Sequence, residues 1–316
     1  MICHYYLTYD CNCRCEYCPT WQDASIEQQI YASEKDVIQN IKDLHNLGVK
    51  KIFFTGGEPF LYESLADVCR FAKSLDFEVL LSTNGLISSK KLPSLAKYID
   101  NLFVSLAYPV REEHDRAKGQ ECFQETLDTV SACLHFGVNV VIDYLLTRDS
   151  VRFLPEVIDL ATEKKAMLRF NFVHHCFEIE GFEDITFEYI KRYANHPLVI
   201  FDERLFSLAR KGGNDISSPS CNVLSNVITI SPDNNLLLPC FWARESSIPI
   251  NGKLTDLFTT EIFKSYKSLQ GKLSSCKGCV AGEIFEDLDF KSVLVKKNLY
   301  KKFSNFLREI KMLLFG

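Results

Sequence analysis

Six strand-like runs alternate with helix-like runs through about residue 175, and this alternation restricts the fold more than any other feature of the chain. The strands read CHYYLTY, KKIFFT, EVLLST, NLFVSLA, VNVVIDYLLT and MLRFNFV. Between them lie SEKDVIQNIKDLHNLG, LYESLADVCRFAKSL, SSKKLPSLAKYI, ECFQETLDTVSACLHFG and RFLPEVIDLATEKKA. The first of these opens with Ser33 and Asp36 in a capping-box-like start and stops at Gly48. Strands joined by crossover helices predict a parallel sheet with right-handed connections. An α/β barrel and a doubly wound sheet both satisfy the pattern. In either, chemistry gathers at the C-terminal ends of the strands.

That rule brings the unusual residues together. Cys11, Cys13, Cys15 and Cys18 follow strand one, and Thr55-Gly56-Gly57-Glu58-Pro59 follows strand two. Ser82-Thr83-Asn84-Gly85 follows strand three, and Ser105 sits late in strand four. The chain has thirteen cysteines, and in a reducing compartment clustered thiols point to metal or catalysis rather than disulfides. Cys3, Cys69, Cys122 and Cys133 read as small buried packing residues. The spacing Cys11-x3-Cys15-x2-Cys18 can hold three irons of a [4Fe–4S] cube and leave the fourth open. Spacing alone also allows a zinc site completed by Cys13 or a distant ligand. The paired glycines let backbone approach a ligand closely, with the Glu58 carboxylate beside them.

Taken with Tyr17, Gly56-Gly57-Glu58-Pro59 and Thr83-Asn84-Gly85, the three-cysteine loop resembles the radical S-adenosylmethionine (SAM) superfamily. The resemblance covers roughly residues 4–176 and implies a partial (β/α)6 TIM-like barrel. It implies that Cys11, Cys15 and Cys18 ligate a [4Fe–4S] cluster whose open iron chelates the methionine part of SAM, leaving Cys13 without a ligand role. By the same resemblance the Gly56–Glu58 turn with Pro59 meets the SAM amino group, and the Tyr17 backbone meets the adenine. Ser105 and Asn84, beside Thr83, would lie near the ribose or the carboxylate. Reductive C–S cleavage would give a 5′-deoxyadenosyl radical that removes a hydrogen atom from a substrate, with an electron donor such as flavodoxin or ferredoxin.

After residue 176 the pattern changes. FEDITFEYIKRYANH and RLFSLARKGG read as short helices, NVITISPDNNLLLPC as a hairpin turning at Pro232-Asp233-Asn234-Asn235, and LTDLFTTEIFKSYKSLQ as one more helix. Cys221, Cys240, Cys276 and Cys279 surround this hairpin. By themselves they read as a zinc staple, which leaves a non-catalytic zinc-stabilised binding module as the competing function. On a radical SAM barrel they resemble the twitch domain, a shortened SPASM domain, and this implies an auxiliary [4Fe–4S] cluster used for electron transfer. The expected organisation is a barrel over 1–200, an auxiliary iron–sulfur domain of hairpin plus helix over 215–285, and a basic amphipathic helix over 290–316.

Strand six ends near His174, His175 and Cys176. Alternation puts Arg169 and Asn171 on one face with Val173, so one of the two histidines points inward. Arg169 is a candidate for substrate or the SAM carboxylate. Cys176 reads as a buried passenger, with hydrogen-atom donation as the alternative. The net charge of −5 excludes a nucleic-acid surface. No signal peptide and no bilayer-length apolar run is visible, which predicts a cytoplasmic protein. The segment from Ser292 carries six Lys or Arg against one Glu at helical spacing, suited to packing on the acidic body or to peripheral membrane contact. The substrate is expected to be a peptide, a protein side chain or a small molecule. The sequence opens directly on strand one, so no leader-peptide-binding domain is expected, which counts against an autonomous peptide maturase.

Overall fold

The structure, a computed structural model, describes residues 1–86, 91–172 and 182–281. The six expected strands are β1 (Ile2–Thr8), β2 (Lys51–Gly56), β3 (Glu78–Thr83), β4 (Asn101–Leu106), β5 (Asn139–Leu146) and β6 (Met167–Phe172). They lie in that order, and every neighbouring pair is parallel. A two-residue β7 (Val199–Ile200), not foreseen from the sequence, adds another parallel strand beside β6. This is the α/β architecture of a partial TIM-like barrel. Helices Glu34–Asn46, Leu65–Ser74, Phe123–His135 and Leu154–Lys164 fill the crossovers, each burying one apolar stripe such as Val37, Ile41 and Leu44. Ser33 stands at the N-cap of the first, but its side chain makes no capping bond.

Two helices depart from the sequence reading. The run SSKKLPSLAKYI yields only one turn, Leu92–Leu95, and a 3-10 turn, Ala96–Tyr98. Helix Arg111–Lys118 was missed, because REEHDRAK has too few apolar residues to show a stripe. Glu112 and Glu113 in its first turn, Arg116 and Lys118 in its last, and a left-handed Gly119 at its end account for it.

The hairpin forms β8 (Val227–Ile230) and β9 (Asn235–Leu238), followed by β10 (Ser246–Pro249). Strand β8 pairs in parallel with β1, so the hairpin continues the barrel sheet, which runs β10-β9-β8-β1-β2-β3-β4-β5-β6-β7. Asn40, on the first crossover helix, donates to both the Tyr5 hydroxyl (2.9 Å) and the Asn234 side-chain carbonyl (2.8 Å). Asp43, one turn on, accepts the Leu254 N–H at 2.7 Å. These buried bonds hold the C-terminal region against the barrel. The single helix expected after it is two, Leu254–Leu257 and Glu261–Leu269, because Thr260 caps the second by accepting the Phe263 N–H. His174, His175, Cys176 and the basic tail lie outside the described residues.

Register fixes which side chains share the barrel's inner face. His4 pairs with Phe53, and Ser105, Asp143 and Arg169 are direct neighbours across β4, β5 and β6. A polar row therefore crosses the late positions of these strands. Beneath it, rings of His4, Phe53 and Phe103 meet edge to face at 5.2 and 5.5 Å.

Candidate functional site

The loop carrying Cys11, Cys13, Cys15 and Cys18 is pinned from two sides. On one side, the Gly57 N–H donates to the Thr8 carbonyl and the Glu58 N–H to the Asp10 carbonyl, both at 2.8 Å. A Cβ on Gly56 or Gly57 would stand 2.1 Å from the Thr8 carbonyl oxygen or 2.0 Å from that of Asp10, so only glycine permits this contact. On the other side, Arg14 and Glu16 donate their N–H groups to the carbonyls of Lys118 (2.9 Å) and Ala117 (3.0 Å). Gly119 allows that approach, since a Cβ there would sit 2.7 Å from the Arg14 carbonyl oxygen.

Glu58 turns inward and is fully buried. Its carboxylate accepts the Asn84 N–H (2.7 Å), the Thr83 hydroxyl (3.0 Å) and the Phe60 N–H (3.1 Å), tying the turn after β2 to the turn after β3. Burial pushes its pKa up to about 7 despite these donors. The Asn84 side chain reaches back to the loop, donating to Asn12 at 2.6 Å and towards the Cys11 sulfur at 3.7 Å. Gly85 packs against Thr126 where a Cβ would meet backbone at 2.6 Å. Thr83, Asn84 and Gly85 thus belong to the frame of the loop.

Lys118 is 1% exposed and donates to the Ser105 hydroxyl at 2.9 Å. Burial disfavours its charge, but Tyr17, Cys15, Cys13 and Cys122 around it more than offset this, and its pKa is raised. A permanent cation therefore stands between the thiol loop and the polar row. Cys15 is held down to about 6, chiefly by hydrogen bonding with Cys13, and Cys11 is lowered by the same partner. Cys11, Cys15 and Cys18 are part-exposed, whereas Cys13 is closed off. Three accessible thiols on one pinned loop, two of them biased to the thiolate, suit an iron–sulfur cluster with one open iron.

The model of the Radical SAM superfamily matches residues 5–161, a span that contains the loop, both turns, Ser105 and Lys118. The chain belongs to the radical SAM superfamily. Among curated proteins, this radical SAM chain is 24% identical over 209 residues to the Fe-coproporphyrin III synthase of Methanosarcina barkeri, covering 65% of this chain and 52% of that protein. It is 29% identical over 187 residues to the GTP 3′,8-cyclase of Chlorobaculum tepidum, covering 56% and 53%. The chain thus spans about half the length of these relatives. Its fold resembles Streptococcus suis SuiB bound to the precursor peptide SuiA, with a TM-score of 0.69 at 18% identity, covering 90% of this chain and 70% of that one. It also resembles anSMEcpe with bound AdoMet, with a TM-score of 0.66 at 16% identity over 98% and 100% of the two chains. Membership implies a [4Fe–4S] cluster and SAM, and the loop's donor set fits the cluster.

The second cysteine set also converges. Cys221, Cys240, Cys276 and Cys279 line one cavity together with Trp242 and Asn214. Asn214, missed in the sequence, is the clamp. Its amide donates to the carbonyls of Gly271 (2.8 Å) and Cys276 (3.1 Å), and its backbone N–H to that of Cys279 (2.9 Å). Gly271 packs on Cys221, where a Cβ would come within 2.9 Å of the cysteine's own. The segment after Cys240 is joined to β1 by Phe241 stacked on Tyr6 at 4.4 Å and to the chain just past the thiol loop by Arg244 paired with Asp23 at 2.6 Å.

Arg169 lies on β6, directly beside Asp143 on β5. Its guanidinium makes a bidentate pair with Asp143, both contacts 2.8 Å, and lies over the Phe103 ring at 4.5 Å. A buried cation beside the thiol loop is Lys118, whose charge the sequence reading passed over along with its helix. Cys122 is buried as expected, but it contacts Cys13 and His114 instead of apolar side chains alone.

Proposed function

We propose that this chain reductively cleaves SAM and uses the resulting radical to abstract a hydrogen atom from a peptide or protein side chain, with an auxiliary cluster on Cys221, Cys240, Cys276 and Cys279 taking up the substrate electron. The observation that carries this reading is the convergence of the thiol loop, Lys118 and Ser105 on the inner face where Asp143 and Arg169 also lie. Cys11, Cys15 and Cys18 would hold a [4Fe–4S] cluster, which when bound would supply the electron for reductive cleavage of the sulfonium C–S bond. The protein's part is positioning. Lys118 and Ser105 offer a cation and a hydroxyl to the SAM carboxylate, the Gly56–Pro59 turn and Asn84 brace the loop, and Tyr17 carries the backbone beside the adenine. Asp143 and Arg169 present a fixed charge pair to the substrate, suited to polar backbone or side-chain groups.

The peptide assignment is supported by the likeness to SuiB and anSMEcpe, solved with peptides bound. A saturated four-thiolate auxiliary site favours oxidative chemistry, because it can accept an electron without binding substrate. Anaerobic reconstitution tests the reading. About eight irons per chain and reductant-dependent 5′-deoxyadenosine are expected, with deuterium moving from a labelled peptide into that product. Deuterium transfer from a small metabolite alone would reassign the substrate. A colourless zinc-loaded protein that leaves SAM intact would restore the zinc-stabilised binding module.

A further inference from the structure

The cysteine cavity of the C-terminal region is walled in part by Trp242, and Cys240 at its edge is followed directly by Phe241. The Phe241 ring is buried and stacks on Tyr6 at 4.4 Å with 15° between the planes, while Trp242 meets it edge to face at 5.4 Å. Arg244 lies over the same ring at 5.0 Å and is itself held by its ion pair with Asp23. Three neighbours therefore fix the ring.

Tyr6 carries this contact into the barrel. It stands two residues beyond His4 on β1, so it shares the face on which His4 meets Phe53. Its register partner is Thr55, whose hydroxyl accepts that of Ser82 at 3.0 Å. The inner face at this level thus holds the Tyr6 ring and two hydroxyls, with Ser82 on the strand beside the one that carries Ser105. The Asn40 and Asp43 bonds join the same two regions on the opposite, helix-covered side, where Tyr5 points. Of these links, the Phe241–Tyr6 stack is the one that runs from the cysteine cavity to the inner face.

We propose that Tyr6 and Phe241 are positioning residues that couple the inner face electronically to an auxiliary cluster on Cys221, Cys240, Cys276 and Cys279. This inference rests on the reading of that site under the proposed function. Hydrogen abstraction leaves a carbon radical on the substrate. One electron passes from that carbon to the auxiliary site, which is reduced by one electron. A proton leaves the neighbouring O–H, N–H or S–H for water, so that C•–XH becomes C=X. Electron transfer weakens steeply across any gap that lacks orbitals to bridge it. Two stacked rings, one of them a single peptide bond from the Cys240 ligand, fill that gap. Neither ring changes its own oxidation state.

The test uses the full chain, anaerobically reconstituted, as wild type, Phe241→Leu, Phe241→Tyr, Tyr6→Leu and Tyr6→Phe. Iron content is measured first. The readouts are then the organic radical trapped by freeze-quench electron paramagnetic resonance, with a peptide that supports deuterium transfer, and the oxidised product formed per 5′-deoxyadenosine. Both leucine variants are expected to keep their iron, accumulate substrate radical and lose product per 5′-deoxyadenosine. Phe241→Tyr and Tyr6→Phe keep a ring and should match wild type. Iron-replete leucine variants that hold no more radical than wild type overturn the inference. Loss of iron from both leucine variants also overturns it, because the rings would then support the metal site instead of coupling to it. A wild-type chain that takes zinc in place of iron at the second site would instead sink the reading of that site.

Discussion

The Asn84 backbone N–H meets the Glu58 carboxylate at 2.7 Å, inside a site from which Glu58 sees no solvent. Two strand ends, far apart in sequence, share one acceptor. Glu58→Ala would strand the Asn84 and Phe60 N–H groups and the Thr83 hydroxyl, at a cost of about 1–3 kcal/mol for each buried donor left unmade. Urea unfolding should show a lowered midpoint with an unchanged slope. A midpoint within error of wild type would mean that Glu58 is not the link between the two turns.

The same burial gives a pH dependence with a definite sign. Glu58 is raised from 4.5 to about 7, so between those values the folded chain keeps a proton that the unfolded chain has released. This contribution to stability is complete below about pH 4.5 and is lost as pH rises through about 7. Its slope approaches about 1.4 kcal/mol per pH unit within the window. Comparing wild type with Glu58→Gln by thermal melts at several pH values isolates it, and the variant's difference from wild type should vary with pH only in that range.

Lys118 is a buried cation packed against the thiol loop, and Ser105 takes one of its three N–H donors. Lys118→Met should weaken SAM binding about 10- to 100-fold, the worth of one charge-assisted hydrogen bond. Lys118→Arg keeps the charge in a bulkier form and should lose less. Calorimetry on the iron-loaded protein reads both. Equal affinity in all three proteins would remove Lys118 from the cofactor site.

Alanine at Cys11, Cys15 or Cys18 should abolish 5′-deoxyadenosine formation and halve the iron content. Alanine at Cys276 or Cys279 should also lower iron, but leave SAM cleavage without substrate in place. Substrate oxidation, in contrast, should fail. Zinc retained by these auxiliary variants' parent, with no iron taken up there, would convert the second site into a structural staple.

Arg169 and Asp143 are about 20% exposed, so their pair is bidentate yet still reached by water. Arg169→Lys removes the fork geometry while keeping charge. If the pair orients substrate, KM should rise with uncoupled SAM cleavage little changed. A loss confined to SAM binding would instead put Arg169 at the SAM carboxylate, the other role its sequence reading allows.

Local pattern was sufficient for much of this protein. Alternating periodicity located six strands and put the thiol loop at a strand end; the spacing of Cys11, Cys15 and Cys18 on one short loop left a cluster and a zinc site open, and the resemblance to the radical SAM superfamily implied the cluster. What depended on distant residues was not readable. Helix Arg111–Lys118 has no apolar stripe, so Lys118 drew no attention until the fold pressed it against the thiol loop. Asn214 is a single polar residue whose role exists only once Gly271, Cys276 and Cys279 arrive around it. The hairpin's place beside β1, the Ser105-Asp143-Arg169 row and the burial that separates Cys13 from its neighbours are likewise products of register and packing. Spacing along a chain reports which groups can meet on one turn. Which groups meet across strands, and which remain wet, is decided by burying the shared core.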